Sequence, residues 1–121
     1  MKPKILICDD EEGIREALKL ILEENYDLSF CSDGGKCLST LKDGPKFNVV
    51  LLDIKMPKIN GLEILKQIKS LNPQIKVIMV TGYRSVETAE EAVKAGANDY
   101  VLKPFTSKDV LGSVTRVLSR P

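Results

Sequence analysis

Histidine is absent from the chain, and that absence alone removes Ser-His-Asp triads, histidine-based zinc sites and the imidazole general base. Net charge is nearly absent as well. Eighteen Lys and Arg against 17 Asp and Glu leave a formal charge of +1, so no nucleic-acid footprint or anionic membrane partner is expected. Long apolar runs are missing: the first, in MKPKILICDD, ends at an acidic cluster too early for a signal sequence, and no other stretch approaches the length of a membrane span. Cysteine is scarce. Cys8, Cys31 and Cys37 are odd in number and lack Cys-x-x-Cys spacing, which argues against a disulfide framework and a thiolate metal site and leaves the buried thiols of a cytoplasmic protein. Any chemistry must therefore use carboxylates, lysine, hydroxyls or thiols.

What the chain does have is enough apolar character, 43% of 121 residues, for one core and hence one domain over 1–121. Lys4–Cys8 (KILIC), Val49–Leu52 (VVLL) and Val77–Val80 (VIMV) are short apolar runs of the kind that form central parallel strands with both faces covered. Leu28–Cys31 and Tyr100–Leu102 are weaker strand candidates nearer the edges. Between them lie helical spacings: Ile14, Leu18, Ile21 and Leu22, then a short helix over Gly35–Lys42 broken by Gly44-Pro45, then Leu62, Leu65 and Ile68. Ser85 is placed to cap a helix that stops at Gly96, and Thr106 with Asp109 has the form of a capping box. Five strands alternating with five helices predict an α/β fold, a doubly wound parallel sheet whose ligands bind at the C-terminal ends of the strands.

The residues following the strong strands form a chemically pointed set: Asp9 and Asp10 after the first, Asp53 at the end of the third, Thr81 after the fourth and Lys103 after the fifth. Clustered carboxylates repel by roughly 4 kcal/mol per pair at about 4 Å and an effective dielectric near 20, so three of them call for a cation or a shared proton. Mg2+, which takes one or two carboxylates plus waters and phosphate oxygens, suits that set. A carboxylate can also attack phosphorus if fixed cations offset the charge on the transferred group. Asp53, ending a buried strand, is the candidate nucleophile, Lys103 the fixed cation and Thr81 a hydroxyl donor to a phosphate oxygen.

The segments ICDDEEGIR, VVLLDIKMPKINGLEIL, VIMVTGY and YVLKPF resemble, in order and over essentially the whole chain, the signature segments of two-component response regulator receiver domains. The resemblance implies the flavodoxin-like strand order 2-1-3-4-5. It implies that Asp53 is the phosphoacceptor, that Asp10 and Asp53 bind Mg2+ directly with Asp9 acting mainly through water, and that the Lys55 backbone carbonyl completes the protein ligands. Thr81 matches the switch hydroxyl, Lys103 the phosphate-binding lysine and Tyr100 the aromatic that swings inward on activation. Pro104 stands where the family usually has a cis peptide. Gly61 is expected to supply a backbone angle that other residues resist.

The implied role is a phosphoacceptor signalling domain rather than an enzyme in its own right. A sensor histidine kinase or histidine phosphotransfer protein would donate to Asp53, and the face formed by the fourth helix, fifth strand and fifth helix would act on a downstream output domain or protein. Lys55 and Tyr83, two residues beyond Asp53 and Thr81, are large enough to obstruct in-line water and to slow hydrolysis. Three other readings compete. A phosphatase of the haloacid-dehalogenase type needs a second aspartate where Lys55 stands. A flavodoxin-like cofactor binder without phosphotransfer needs a phosphate-cradling loop after the first strand, where two aspartates would repel the ligand. A purely structural interaction module is excluded if acetyl phosphate with Mg2+ adds mass to the chain.

Overall fold

In the computed structural model, which describes residues 1–120, the short apolar runs become a five-stranded parallel sheet in the order β2-β1-β3-β4-β5. The strands are β1 (Lys4–Cys8), β2 (Asp27–Cys31), β3 (Val49–Leu52), β4 (Lys76–Thr81) and β5 (Asp99–Leu102). The helices between and after them are α1 (Glu12–Leu22), α2 (Gly34–Asp43), α3 (Gly61–Leu71), α4 (Val86–Lys94) and α5 (Ser107–Ser119). The strand order is the one the resemblance implied.

Strand side chains alternate between faces, and here both faces are apolar. Leu6, Cys8, Val50, Leu52, Val77 and Met79 turn to one side and pack with Ile64, Leu65 and Ile68 of α3, Cys37 and Leu38 of α2, and Ala92 of α4. Ile5, Ile7, Val49, Leu51, Ile78, Val80 and Val101 turn to the other and pack with Leu18 and Leu22 of α1 and Val110, Val114 and Val117 of α5. A strand buried on both sides has no polar stripe, which is why β1, β3 and β4 read as continuous apolar runs.

The helix boundaries follow from local hydrogen bonding. The Ser85 hydroxyl accepts from the Thr88 N–H. Thr106 and Asp109 form both bonds of a reciprocal capping box. Gly96, just past α4, takes a φ of +105°, a left-handed conformation that glycine adopts without a side-chain penalty. Gly61 behaves differently from expectation. It is not among the residues with positive φ, and the left-handed residue of the β3–α3 loop is Lys58, at φ 70°. What demands glycine at position 61 is proximity: a Cβ there would run into the backbone carbonyl of Asp53 and the Cα of Ile54.

Register completes the placement. Cys8 pairs with Leu52, Leu52 with Met79, and Thr81 with Leu102. The C-terminal ends of β1, β3, β4 and β5 therefore finish nearly level, and the residues that follow them emerge along one edge. That edge includes the switch point beside β1, where an open sheet of this kind binds ligands.

Candidate functional site

Asp53 and Asp9 are both held by the backbone before their side chains act. The Asp53 N–H donates to the Cys8 carbonyl and the Asp9 N–H to the Cys31 carbonyl, each at 3.1 Å. The two residues are 4% and 2% exposed. Burying two carboxylates side by side is costly unless a cation meets them. Lys103 meets both: its Nζ donates to Asp9 Oδ2 at 2.8 Å and to Asp53 Oδ2 at 2.9 Å, with Glu11 Oε1 further off at 3.4 Å. The Lys103 N–H is tied to the Thr81 carbonyl, and the Lys103-Pro104 peptide is cis.

The electrostatics follow from this geometry. Burial pushes the Asp9 carboxyl above its ordinary range; hydrogen bonds from Lys103 and the Glu11 N–H pull it down, and neighbouring Asp53 pushes it up again. Burial on its own would lower Lys103, but the Asp9 and Asp53 carboxylates outweigh it and hold the ammonium above its usual range. Lysine and the two aspartates thus form one charged unit.

The other expected residues fall around it. Asp10 is exposed, yet one of its carboxylate oxygens lies with those of Asp9, Glu11 and Asp53 in a group whose members are all within 4.8 Å of one another. Four hard oxygen donors at that spacing, two buried and two open to solvent, suit a small hard divalent cation that keeps part of its water shell. Thr81 is fully buried, and its hydroxyl accepts from the Tyr83 N–H at 3.4 Å. The Lys55 N–H donates to Asp53 Oδ1 at 3.4 Å, while its side chain lies in solvent. Glu11, Asp53, Lys55, Thr81, Gly82, Tyr83 and Lys103 line a single open pocket. Tyr100 stands apart from it. Its ring is partly buried, and its hydroxyl donates to the Tyr83 carbonyl at 2.8 Å.

Several contributors were not singled out from the sequence. Glu11, directly after the acidic pair, joins the pocket and the ion-pair network; its adjacency to Asp9 and Asp10 was the available signal. Arg15 donates to the Asp9 carbonyl at 2.9 Å and Arg84 to the Lys103 carbonyl at 3.0 Å, and no local pattern announces either. The three cysteines are buried as expected but are not scattered: Cys8 Sγ lies 2.8 Å from Cys37 Sγ and 2.9 Å from Cys31 Sγ. Reading them by spacing along the chain missed a cluster assembled from β1, β2 and α2.

Comparison with known proteins gives a consistent picture. Residues 5–115 match the family model described as the response regulator receiver domain. The transcriptional regulatory protein ZraR of Escherichia coli (strain K12) is 35% identical over 116 residues, which cover 95% of this chain and 26% of that protein. The chain thus spans about a quarter of that regulator's length. Among solved structures, a CheY-like response regulator receiver domain protein from Methanospirillum hungatei JF-1 superposes with a TM-score of 0.92 at 37% identity, covering 98% of this chain and 94% of its own. The BeF3-activated receiver domain of DrrB, a Thermotoga maritima protein, superposes with a TM-score of 0.91 at 33% identity, covering 99% and 100%.

Proposed function

The chain belongs to the response regulator receiver domain family, and from that premise we propose that Asp53 is its phosphoacceptor, with Asp9, Asp10, Thr81 and Lys103 serving the transfer. One observation supports this most strongly: a single lysine ammonium bridges the buried carboxylates of Asp53 and Asp9 at the open edge of the sheet. An ammonium held there can turn from a carboxylate to a phosphoryl oxygen without leaving the pocket.

In the proposed reaction an Asp53 carboxylate oxygen attacks the phosphorus of a phosphohistidine, the P–N bond breaks, and the departing imidazole keeps the electron pair. The chain contains no histidine, so the donor is a separate sensor kinase or histidine phosphotransfer protein. Asp9, Asp10 and Asp53, with the Lys55 carbonyl, would hold Mg2+, which when bound offsets the negative charge on the transferred group. Lys103, already bonded to Asp9 and Asp53, contributes a second, fixed positive charge. Hydrolysis of the acyl phosphate regenerates the carboxylate, so the domain assists its own phosphorylation and dephosphorylation while acting as a signalling element.

The added phosphoryl group brings about two negative charges and three acceptor oxygens, which draw Thr81 and Lys103 toward it. Both residues are wired to the signalling side. The Lys103 N–H is bonded to the Thr81 carbonyl, Tyr83 bonds the Thr81 hydroxyl through its N–H, and the Tyr100 hydroxyl bonds the Tyr83 carbonyl. Movement of Thr81 therefore reaches Tyr100 and the apolar groove lined by Tyr83, Val86, Val93 and Leu102. The groove lies on α4 and β5, and the α4–β5–α5 face that includes it is the proposed contact with an output domain or protein, with the whole chain one receiver unit working in the cytoplasm and contacting neither membrane nor nucleic acid. No helix among the described residues is long and apolar enough to cross a membrane. Incubation with acetyl phosphate and Mg2+ should add the mass of one phosphoryl group, EDTA should suppress it, and Asp53→Asn should abolish it. Equal labelling of the Asn variant would refute the assignment.

A further inference from the structure

Cys8 at the end of β1, Cys31 at the end of β2 and Cys37 in the second turn of α2 are 1%, 6% and 0% exposed. Cys8 and Cys31 are direct register partners on adjacent parallel strands, and α2 lays Cys37 over them. The Cys8 sulfur touches both others, at 2.8 and 2.9 Å, and one ligand atom from each of the three falls within a 4.8 Å group. No carboxylate joins that group. The charged groups felt by the cluster are the Arg15 guanidinium, which favours the Cys31 thiolate, and the Asp33 carboxylate, which opposes it. Their surroundings are the apolar layer that includes Leu38, Leu52 and Ile64.

Charge and coordination number decide what such a site can take. Zinc prefers four ligands, and the fourth would have to be a water in an apolar, nearly closed layer. Three thiolates around a monovalent soft ion such as Cu(I) would keep a double negative charge, and around a divalent ion a single one, with the Arg15 guanidinium near Cys31 itself opposed by Asp33. A trivalent metalloid leaves no charge. We propose that Cys8, Cys31 and Cys37 form a three-coordinate site for a trivalent metalloid of the arsenite class. Each thiol exchanges its proton for a bond to arsenic, three As–O bonds break, and three waters leave, so that one As(OH)3 and three thiols give a neutral tris-thiolate without oxidation or reduction.

Any chain with three cysteines can chelate arsenite when unfolded, so the test must ask whether the fold holds it better. The full chain is refolded with one equivalent of arsenite, which removes any delay due to burial, and is examined by native mass spectrometry and thermal melting. The expected species carries one arsenic in place of three hydrogens, and its melting midpoint is higher than that of the arsenite-free chain, because a ligand that prefers the folded state stabilises it. Cys8→Ala, Cys31→Ala and Cys37→Ala, each first shown to be folded by circular dichroism, should bind at least about tenfold more weakly and lose the rise in midpoint. Cys37→Ser on the helix provides a second variant should the alanine forms not fold. A fall in midpoint would overturn the site, since it would mean the unfolded chain is the better chelator. So would an adduct that retains a hydroxyl on arsenic, unchanged binding in the Cys37 variants, or a disulfide formed in place of the adduct.

Discussion

Replacing Lys103 by Met tests how the acidic pocket is held together, because it removes the charge while keeping most of the volume. The lysine donates to Asp9 and Asp53 at 2.8 and 2.9 Å, and the two acid side chains are 2% and 5% exposed. Removing one partner of a buried ion pair costs about 3 to 5 kcal/mol, because the remaining charge stays desolvated. Here two carboxylates lose the same partner and face one another. A loss in that range is expected at pH 7 without divalent cations, with a fall in melting midpoint of about 10 °C or more.

The pH dependence carries a definite sign. Asp9 is raised above its ordinary value of 3.8 by burial, against the lowering pull of Lys103. A carboxyl raised in the fold binds its proton more tightly there than in the unfolded chain. Its contribution is therefore fully present below the unfolded value and is lost as the pH climbs through the raised one. Without Lys103 the upward influences, burial and Asp53, stand unopposed from that side, so Asp9 rises further and the deficit of the variant widens from about pH 4 to pH 7. Urea melts of both proteins across that range, in EDTA, measure it, and added Mg2+ should restore part of the loss. A deficit below about 1 kcal/mol at pH 7, or one larger at pH 4 than at pH 7, would refute the reasoning.

Other outcomes follow from the same geometry. Asp10→Ala removes an exposed like charge from the acidic cluster and should stabilise the metal-free fold by about 0.5 kcal/mol, whereas a clear loss in denaturant melts would contradict the crowding of the acids. Tyr83→Ala opens the pocket beside Asp53 and should shorten the lifetime of the phosphorylated form, read by loss of phosphate over time; an unchanged lifetime counts against obstruction of water by this ring. Gly61→Ala drives a methyl group into the Asp53 backbone and should cost about 1 to 3 kcal/mol in melting experiments while weakening phosphorylation. Thr106→Ala removes one half of the α5 capping box and should cost about 1 kcal/mol with phosphorylation unaffected.

The sequence disclosed most where burial on both faces left its mark. β1, β3 and β4 are continuous apolar runs because helices cover them on each side, and the residues that follow them are therefore assignable to one edge of the sheet from the sequence. β5 was fainter because Asp99 and Tyr100 are only half buried and Leu102 is exposed, yet Lys103 behind it supplies the cation that joins the acids. What stayed hidden depends on distance through space. That Asp9 is the buried acid paired with Lys103 while Asp10 faces solvent is set by the surrounding fold. Arg84 reaches the Lys103 carbonyl from 19 residues away, and Cys37 meets Cys8 from 29 away; neither spacing carries a local pattern. Gly61 was rightly marked as special for the wrong reason, since crowding against a neighbouring backbone leaves no trace in its own dihedral preference.

Borohydride reduction of the freshly phosphorylated chain, followed by peptide sequencing, locates the acyl phosphate directly, because a phosphorylated aspartate is converted to homoserine. Homoserine at position 53 alone is the expected result. Homoserine at position 9 or 10, or a reduced residue at Glu11, would show that another acid of the same pocket is the nucleophile and that the buried strand end does not select Asp53.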